Sequence, residues 1–256
     1  MVYNNIFDSH AHYDDVNFDE DRDECINALW RNGVSGVINI GCTIERSRKS
    51  VELAKVHENF FAAVGIHPED CYDLPENYLD ILKDLASFKK VVAIGEIGLD
   101  YHSEGFLREK QIRIFEEQLC LAKELNLPVV IHSREATEDC MNILRKYKPK
   151  GVMHCFSGSF ETAKQIVDLG MYISFTGVLT FKNSRRAVEA CEAVPIDKLL
   201  LETDCPYMAP SPNRGKRCDS SMISFTAEKI AEIKGLDTQT VINKCYENAQ
   251  NLFKLK

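Results

Sequence analysis

The sequence has no apolar run approaching the roughly 18 residues that a membrane-spanning helix needs. Met1-Val2-Tyr3-Asn4-Asn5 has neither the basic start nor the apolar stretch of a secretory signal, so the expected compartment is the cytoplasm. The ten cysteines include no C-x-x-C pair. Several stand among apolar residues, as Cys42 does after Ile38-Asn39-Ile40 and Cys120 between Leu119 and Leu121. Free cysteine packs there as a small hydrophobe, and the expectation is reduced thiols with no disulfide framework. Cys155 and Cys205 adjoin candidate ligands, but side chains alternate faces along a strand, so neither is expected to touch a metal. Glycine-rich phosphate loops are missing as well, with neither G-x-G-x-x-G nor a P-loop. Positive charge is scarce: 31 Lys and Arg against 39 Asp and Glu leave a net charge of −8. That excludes gripping duplex nucleic acid by charge alone. The one dense basic cluster is Arg214-Gly215-Lys216-Arg217. A phosphate-bearing substrate would need bound cations and a local basic patch.

What the 256 residues do contain is a repeat of apolar run and amphipathic helix, with no low-complexity tract or linker between. Eight runs read as strands: Ile6–His10, Gly36–Gly41, Phe60–Ile66, Val91–Ile97, Pro128–His132, Gly151–Cys155, Met171–Phe175 and Lys198–Glu202. They are short, mostly β-branched and apolar on both faces, as strands of a parallel sheet covered by helices should be. Between them Asp19–Asn32, Glu45–Glu58, Tyr78–Phe88, 107–126, Thr137–Tyr147, Glu161–Leu169 and Arg185–Val194 read as helices. In 107–126, Ile112, Phe115, Leu119 and Ala122 form one apolar stripe, and Asn126 and Pro128 end it. Trp30 is expected to pack from the first helix. The pattern predicts an α/β fold, a (β/α)8 TIM barrel forming a single domain over 1–256. Asp237–Phe253 is then an extra C-terminal helix. An open doubly wound sheet is the alternative.

Barrel active sites sit at the C-terminal ends of the strands. His10, His12, His67, Glu96, Asp100, His132, His154, Glu202 and Asp204 all fall there. His10 and His12 are two residues apart, so a strand presents both on one face and both can hold one cation. His132, His154 and Asp204 converge from separate strands, and Glu96 can bridge two cations with its two oxygens. One strand-end histidine is more often structural than a ligand. Five of the seven histidines at strand ends beside carboxylates are not explained that way. The donor types suit Zn2+, Mn2+, Co2+ or Mg2+ and not a soft thiolate metal. His57, late in a helix, reads as structural, and His102 is open.

His10-Ala11-His12, Gly65-Ile66-His67-Pro68, Gly95-Glu96-Ile97-Gly98-Leu99-Asp100-Tyr101, Ile131-His132-Ser133-Arg134, His154-Cys155-Phe156-Ser157-Gly158 and Glu202-Thr203-Asp204 resemble, in order and spacing, the TatD-family DNases. The match runs from Asp8 to Arg217, and Asn248-Ala249 to Phe253 is similar to the family's closing helix. The resemblance implies a TIM barrel, two divalent metals and hydrolysis of DNA phosphodiesters from 3′ ends. It also implies that His10, His12, Glu96 and Asp204 hold one metal, and Glu96, His132 and His154 the other. One departure stands out: where the family often continues Arg-Gly-Lys-Arg with Asn-Glu-Pro, Arg217 is followed here by Cys218-Asp219-Ser220.

The mechanism these residues support is attack on phosphorus by a water activated by the two cations, with Asp204 as general base. Arg134 is the expected phosphate clamp, since its planar fork matches a phosphate, against the plainer reading of a salt bridge to Glu135 or Glu138. His67 is a second candidate, as ligand or phosphate donor, and Tyr101 a candidate for stacking on a base. Net acidity favours single-stranded or frayed DNA ends over a broad duplex footprint. Two rivals stay open. One is a small-molecule metal hydrolase on the same barrel, although its usual carboxylated lysine has no counterpart at Glu96 and Lys89 and Lys90 lie at the wrong end of strand four. The other is a non-catalytic nucleic-acid-binding protein, which keeping all six ligands argues against.

Overall fold

The computed structural model describes residues 3–255. Eight parallel strands form one sheet in sequence order: β1 (Ile6–Ala11), β2 (Val34–Ile40), β3 (Phe60–Val64), β4 (Val91–Asp100), β5 (Val129–Arg134), β6 (Gly151–Met153), β7 (Tyr172–Phe175) and β8 (Leu199–Leu201). The order never reverses, which rules out the doubly wound alternative. Past the end of β8 the barrel closes onto β1. Ala11 pairs with Cys205, the His12 amide donates to the Cys205 carbonyl at 2.8 Å, and the Asp204 amide to the His10 carbonyl at 2.9 Å. All eight expected strands are present, with ends shifted by a few residues. β4 runs on to Asp100, while β6 and β8 are three residues each and leave His154 and Glu202 just beyond them.

The helices are α1 (Arg22–Arg31), α2 (Ile44–Val56), α3 (Tyr78–Ala86), α4 (Arg108–Leu125), α5 (Thr137–Tyr147), α6 (Phe160–Asp168), α7 (Arg185–Ala193), α8 (Ile223–Lys234) and α9 (Thr238–Phe253). Local chemistry sets their limits. The Thr43 hydroxyl accepts from the Arg46 amide at the start of α2, and Asp237 accepts from the Thr240 amide at the start of α9. Asn126 ends α4 in the left-handed region at φ +53°. Trp30 packs edge-on against Phe60, ring centres 6.0 Å apart, as its expected packing role requires.

One helix was not expected. The sequence reading assigns nothing to Ile223–Lys234, yet α8 is the barrel's eighth helix. Its buried face is Ile223, Thr226, Ala227, Ile230 and Ala231. The spacing is helical, but small residues make up most of the stripe and mute its hydrophobic signal. The C-terminal helix α9 is the extra one, as expected. Ala249, Leu252 and Phe253 close a cluster of strand residues that includes Phe7, Ile38, Val130, Val152 and Leu200. The Asn248 amide donates to the Ile196 and Leu199 carbonyls, both at 2.8 Å, at the entry of β8. α9 therefore seals the end of the barrel where strands begin and leaves the other end free.

Ile230 is fully buried, and α8 leans on it. Ile230→Ala should lower the unfolding free energy by about 2–5 kcal/mol, read as a shift in urea midpoint at unchanged slope. A change under ~0.5 kcal/mol would show that α8 is not part of the core.

Candidate metal centre

His10 lies in β1, Glu96 in β4 and His132 in β5, while His12, His154 and Asp204 sit one to three residues past β1, β6 and β8. The barrel therefore aims six donors from five strand ends at one point. Glu96 is at that point, 4% exposed. Its Oε1 is 2.7 Å from His154 Nε2, 2.9 Å from His132 Nδ1 and 3.7 Å from His67 Nε2. Its Oε2 is 3.3 Å from His10 Nε2 and 3.9 Å from His12 Nε2. Asp204 Oδ1 lies 3.5 and 3.3 Å from those two nitrogens. One carboxylate thus divides the cluster, each oxygen facing its own set of imidazoles.

The donor set fits divalent cations. His12 Nδ1 is 3.0 Å from the Ile40 carbonyl, which only accepts, so the proton sits on Nδ1 and Nε2 presents a lone pair inward. His132 Nε2 is 2.8 Å from Asp100 Oδ2, which leaves Nδ1 bare toward Glu96. His10 Nε2 and His12 Nε2 are 3.1 Å apart, and His154 Nε2 and His132 Nδ1 3.4 Å. Lone pairs this close repel one another unless positive charge lies among them. Three sets of donors, His10–His12–Glu96, His10–His154–Asp204 and His67–Glu96–His132, have their ligating atoms within 4.8 Å of one another. His67 joins the cluster through that third set, although its Nδ1 is taken by the Glu69 amide at 3.2 Å.

Titration behaviour tells the same story. Burial opposes charging of His154, but Glu96 and Glu202 outweigh it and push its pKa well above the usual value. Burial likewise opposes ionisation of Glu96, yet His154, His10 and His67 hold its carboxyl well below the normal range. His67 is the opposite case: burial drives it down to about 3 despite Glu96, so it stays a neutral donor. Without metal, protons on the imidazoles do the work that cations would do.

A second layer holds these groups in place, and sequence reasoning missed it. Asp100, 1% exposed, orients His132. Glu202 accepts from the Cys155 amide and the Ser174 hydroxyl, both at 2.6 Å, with Oε1 3.6 Å from His154 Nδ1. Asp8 accepts from the His10 and Thr203 amides and the Thr203 hydroxyl, tying β1 to the segment after β8. Burial pushes its carboxyl up to about 7 against those bonds. Two glutamines of α4 act on backbone. Gln118 brackets Ile66, accepting from its amide at 2.8 Å and donating to its carbonyl at 3.1 Å. Gln111 brackets Asp100 in the same way at 2.9 and 2.8 Å. The signal available beforehand was position: Asp100 and Glu202 are strand-end carboxylates within four residues of a ligand. Gly98 (φ +147°) completes the layer, because a Cβ there would fall 2.0 Å from the His132 carbonyl oxygen.

The other expected site residues divide. Arg134 is exposed beside the cluster, and among the described residues its guanidinium forms no ion pair, since Glu135 pairs with His102 at 2.7 Å. Tyr101 is committed elsewhere. Its hydroxyl donates to Asp139 at 2.7 Å and one ring face stacks on Phe106 at 4.6 Å, leaving only a partly covered ring for any base. His57 packs near Phe60 and Asp23, away from the cluster, as its structural reading requires. Cys155 and Cys205 enter none of the donor sets among the described residues. The departing loop is tied to the barrel by other means: Arg217 forks onto Asp21 at 2.7 and 2.6 Å, and the Ser220 hydroxyl meets Tyr13 at 2.9 Å.

A profile of the family described as TatD related DNase matches residues 7–254. The chain belongs to the TatD-related DNase family. Among its relatives is YabD of Bacillus subtilis, described as an uncharacterized metal-dependent hydrolase. It is 39% identical over 253 residues, which cover 98% of this chain and 99% of YabD. A TatD protein of Pantoea ananatis, described as a 3'-5' ssDNA/RNA exonuclease, is 31% identical over 261 residues, 98% of this chain and all of that one. The crystal structure of YJJV, a TatD homolog of Escherichia coli, superposes over the full length of both chains with a TM-score of 0.93 at 28% identity. This TatD-family chain is therefore a metal-dependent hydrolase with the family's barrel. Among its described residues no helix is long and apolar enough to cross a membrane.

Dialysis against a chelator should lower the melting temperature, and Zn2+ or Mn2+ should restore it. Saturation a hundredfold above Kd adds about 2.7 kcal/mol. Asp100→Ala removes the acceptor that orients His132 and should weaken metal binding about 10–100-fold by titration calorimetry. Equal affinities in the two proteins would deny Asp100 that role.

Proposed function

We propose that this hydrolase is a deoxyribonuclease that shortens single-stranded or frayed DNA from 3′ ends around two divalent cations. The observation that carries the reading is the division of the cluster by Glu96, one oxygen toward His10 and His12 and the other toward His132 and His154. His10, His12, Glu96 and Asp204 would hold one cation, and Glu96, His132 and His154 the other. Bound there, such ions supply Lewis-acid polarisation of phosphoryl oxygens and a water that is acidic near neutral pH. The exonuclease description of the Pantoea relative supports a nucleic-acid substrate.

The chain's own groups have distinct parts. Asp204, with its side chain 15% exposed against 5% for Glu96, is the cluster carboxylate nearest solvent. It takes the proton from the attacking water and can pass it outward. Its backbone is left-handed at φ +61°, fixed by the His10 carbonyl on one side and the Tyr207 amide on the other. Arg134, free of carboxylate partners, binds a non-bridging phosphate oxygen. His67, kept neutral with its Nδ1 accepting from the Glu69 amide, carries its proton on Nε2 and can donate to phosphate. An acidic protein with this basic centre suits one strand end better than a long duplex.

The test uses 3′-labelled and 5′-labelled single-stranded DNA with Mg2+, Mn2+ or chelator. Metal-dependent shortening from the 3′ end is expected. Glu96→Ala should abolish it, and Asp204→Asn should lower kcat by about 10²–10⁴-fold. Intact DNA under every metal, with turnover of small esters or lactones instead, would move the assignment to a small-molecule hydrolase.

A further inference from the structure

A groove of about 550 Å3 opens directly from His154 and runs between the loops that follow β5 and β6. Its size lies within the ~300–1,000 Å3 range of small-ligand pockets and is ample for one nucleotide. Arg134 stands on one wall and Arg186, the second residue of α7, on the other. Both are exposed, and among the described residues neither forms an ion pair. Their neighbours differ: Arg108 is held by Asp139, Arg185 by Glu189 and Arg217 by Asp21.

The local physics of α7 makes Arg186 harder to explain as a helix residue. It occupies the first turn, where the helix dipole and the free amides favour negative charge. That turn contains no acidic residue, and Ser184 gives no side-chain cap. An arginine there costs the helix stability, so its position needs another reason. The carboxylates near it do not supply one. Glu135 on the groove is engaged by His102. Glu161 is fully exposed, its carboxyl held low first by Ser159 and only in small part by Arg186.

We propose that this groove is the subsite for the nucleotide flanking the scissile bond, with Arg186 gripping the next phosphate along the strand. The inference rests on the nuclease reading above. It makes Arg186 a determinant of strand length: it contributes nothing to a substrate with one phosphodiester and grows in importance as the strand extends past the groove. A contact to phosphate reads no base, so the subsite carries no sequence preference.

The experiment is steady-state kinetics of the metal-loaded protein on a dinucleotide, a trinucleotide and a pentanucleotide of DNA, with bis(p-nitrophenyl) phosphate alongside. For the wild type KM should fall about tenfold from dinucleotide to pentanucleotide, and Arg186→Glu should erase that gain through KM with kcat little changed. Arg186→Lys, which keeps the charge, should recover most of it. Circular dichroism melts confirm that the variants fold. If the wild type cleaves the oligonucleotides and Arg186→Glu keeps the full length dependence, the subsite is wrong while the nuclease stands. If the wild type hydrolyses the small diester but no oligonucleotide, the nuclease reading fails and takes the subsite with it.

Discussion

Five lone-pair donors packed around the buried carboxylate of Glu96 repel one another, and the arrangement depends on the contacts that hold them from behind. The closest pair of imidazole nitrogens, His10 and His12 Nε2 at 3.1 Å, keeps a distance that two free lone pairs would not. The Ile40 carbonyl holds His12 and Asp100 holds His132, Glu202 stands 3.6 Å from His154, and Asp8 fixes the backbone of His10 and Thr203. The barrel makes those restraints affordable. Eight strands ending together give every donor a rigid root, and the paired backbone below carries the strain that a loop could not.

Much of this was legible in the sequence, for identifiable reasons. Parallel strands buried on both faces must be apolar throughout, so Phe60-Phe61-Ala62-Ala63-Val64 and its counterparts stand out against amphipathic helices. Metal ligands had to lie where strands stop, and histidine and carboxylate are rare in such runs, so their accumulation was itself the signal. The second layer was legible only in part, since Asp100 and Glu202 stand at strand ends while its glutamines give no sign. Gln111 and Gln118 look like solvent-facing polar residues of a long helix, yet both are buried and spend their amides on the backbone of Asp100 and Ile66. Two residues seven apart on a helix share a face, but nothing in one sequence says that the face meets two strand ends. The helix α8 hid for a related reason, since alanine and threonine fill a tight space well while barely registering as hydrophobic.

Charge explains how an acidic chain can address a polyanion. A net charge of −8 repels phosphate at long range, and salt shortens that repulsion to about 8 Å at physiological ionic strength. Around the groove beside His154 two carboxylates are already spent, Asp139 on Arg108 and Tyr101, and Glu135 on His102. Arg134 and Arg186, which form no ion pair among the described residues, remain there together with whatever cations the cluster holds. Such a surface attracts weakly from afar and binds firmly at one point, which suits a strand end and penalises adsorption along a duplex.

The two ends of the barrel divide stability from chemistry. Of the eight non-glycine residues with positive φ, Asn126, Lys148 and Lys254 end helices, where a left-handed turn is the ordinary way to stop. Glu135, Cys155, Asp204 and Met208 have no such excuse, and all four lie in loops at the mouth. Each left-handed residue costs on the order of 1–3 kcal/mol where nothing local favours it. At the opposite end, among the described residues, the left-handed residue outside a helix end is Asn5, just before β1 at φ +61° and of a type that tolerates that region, and this end is sealed by Ala249, Leu252 and Phe253 of α9. A backbone held in an unfavourable shape at the reacting end requires surplus stability elsewhere, and α9, the helix that the eightfold repeat does not need, is where the fold has added it.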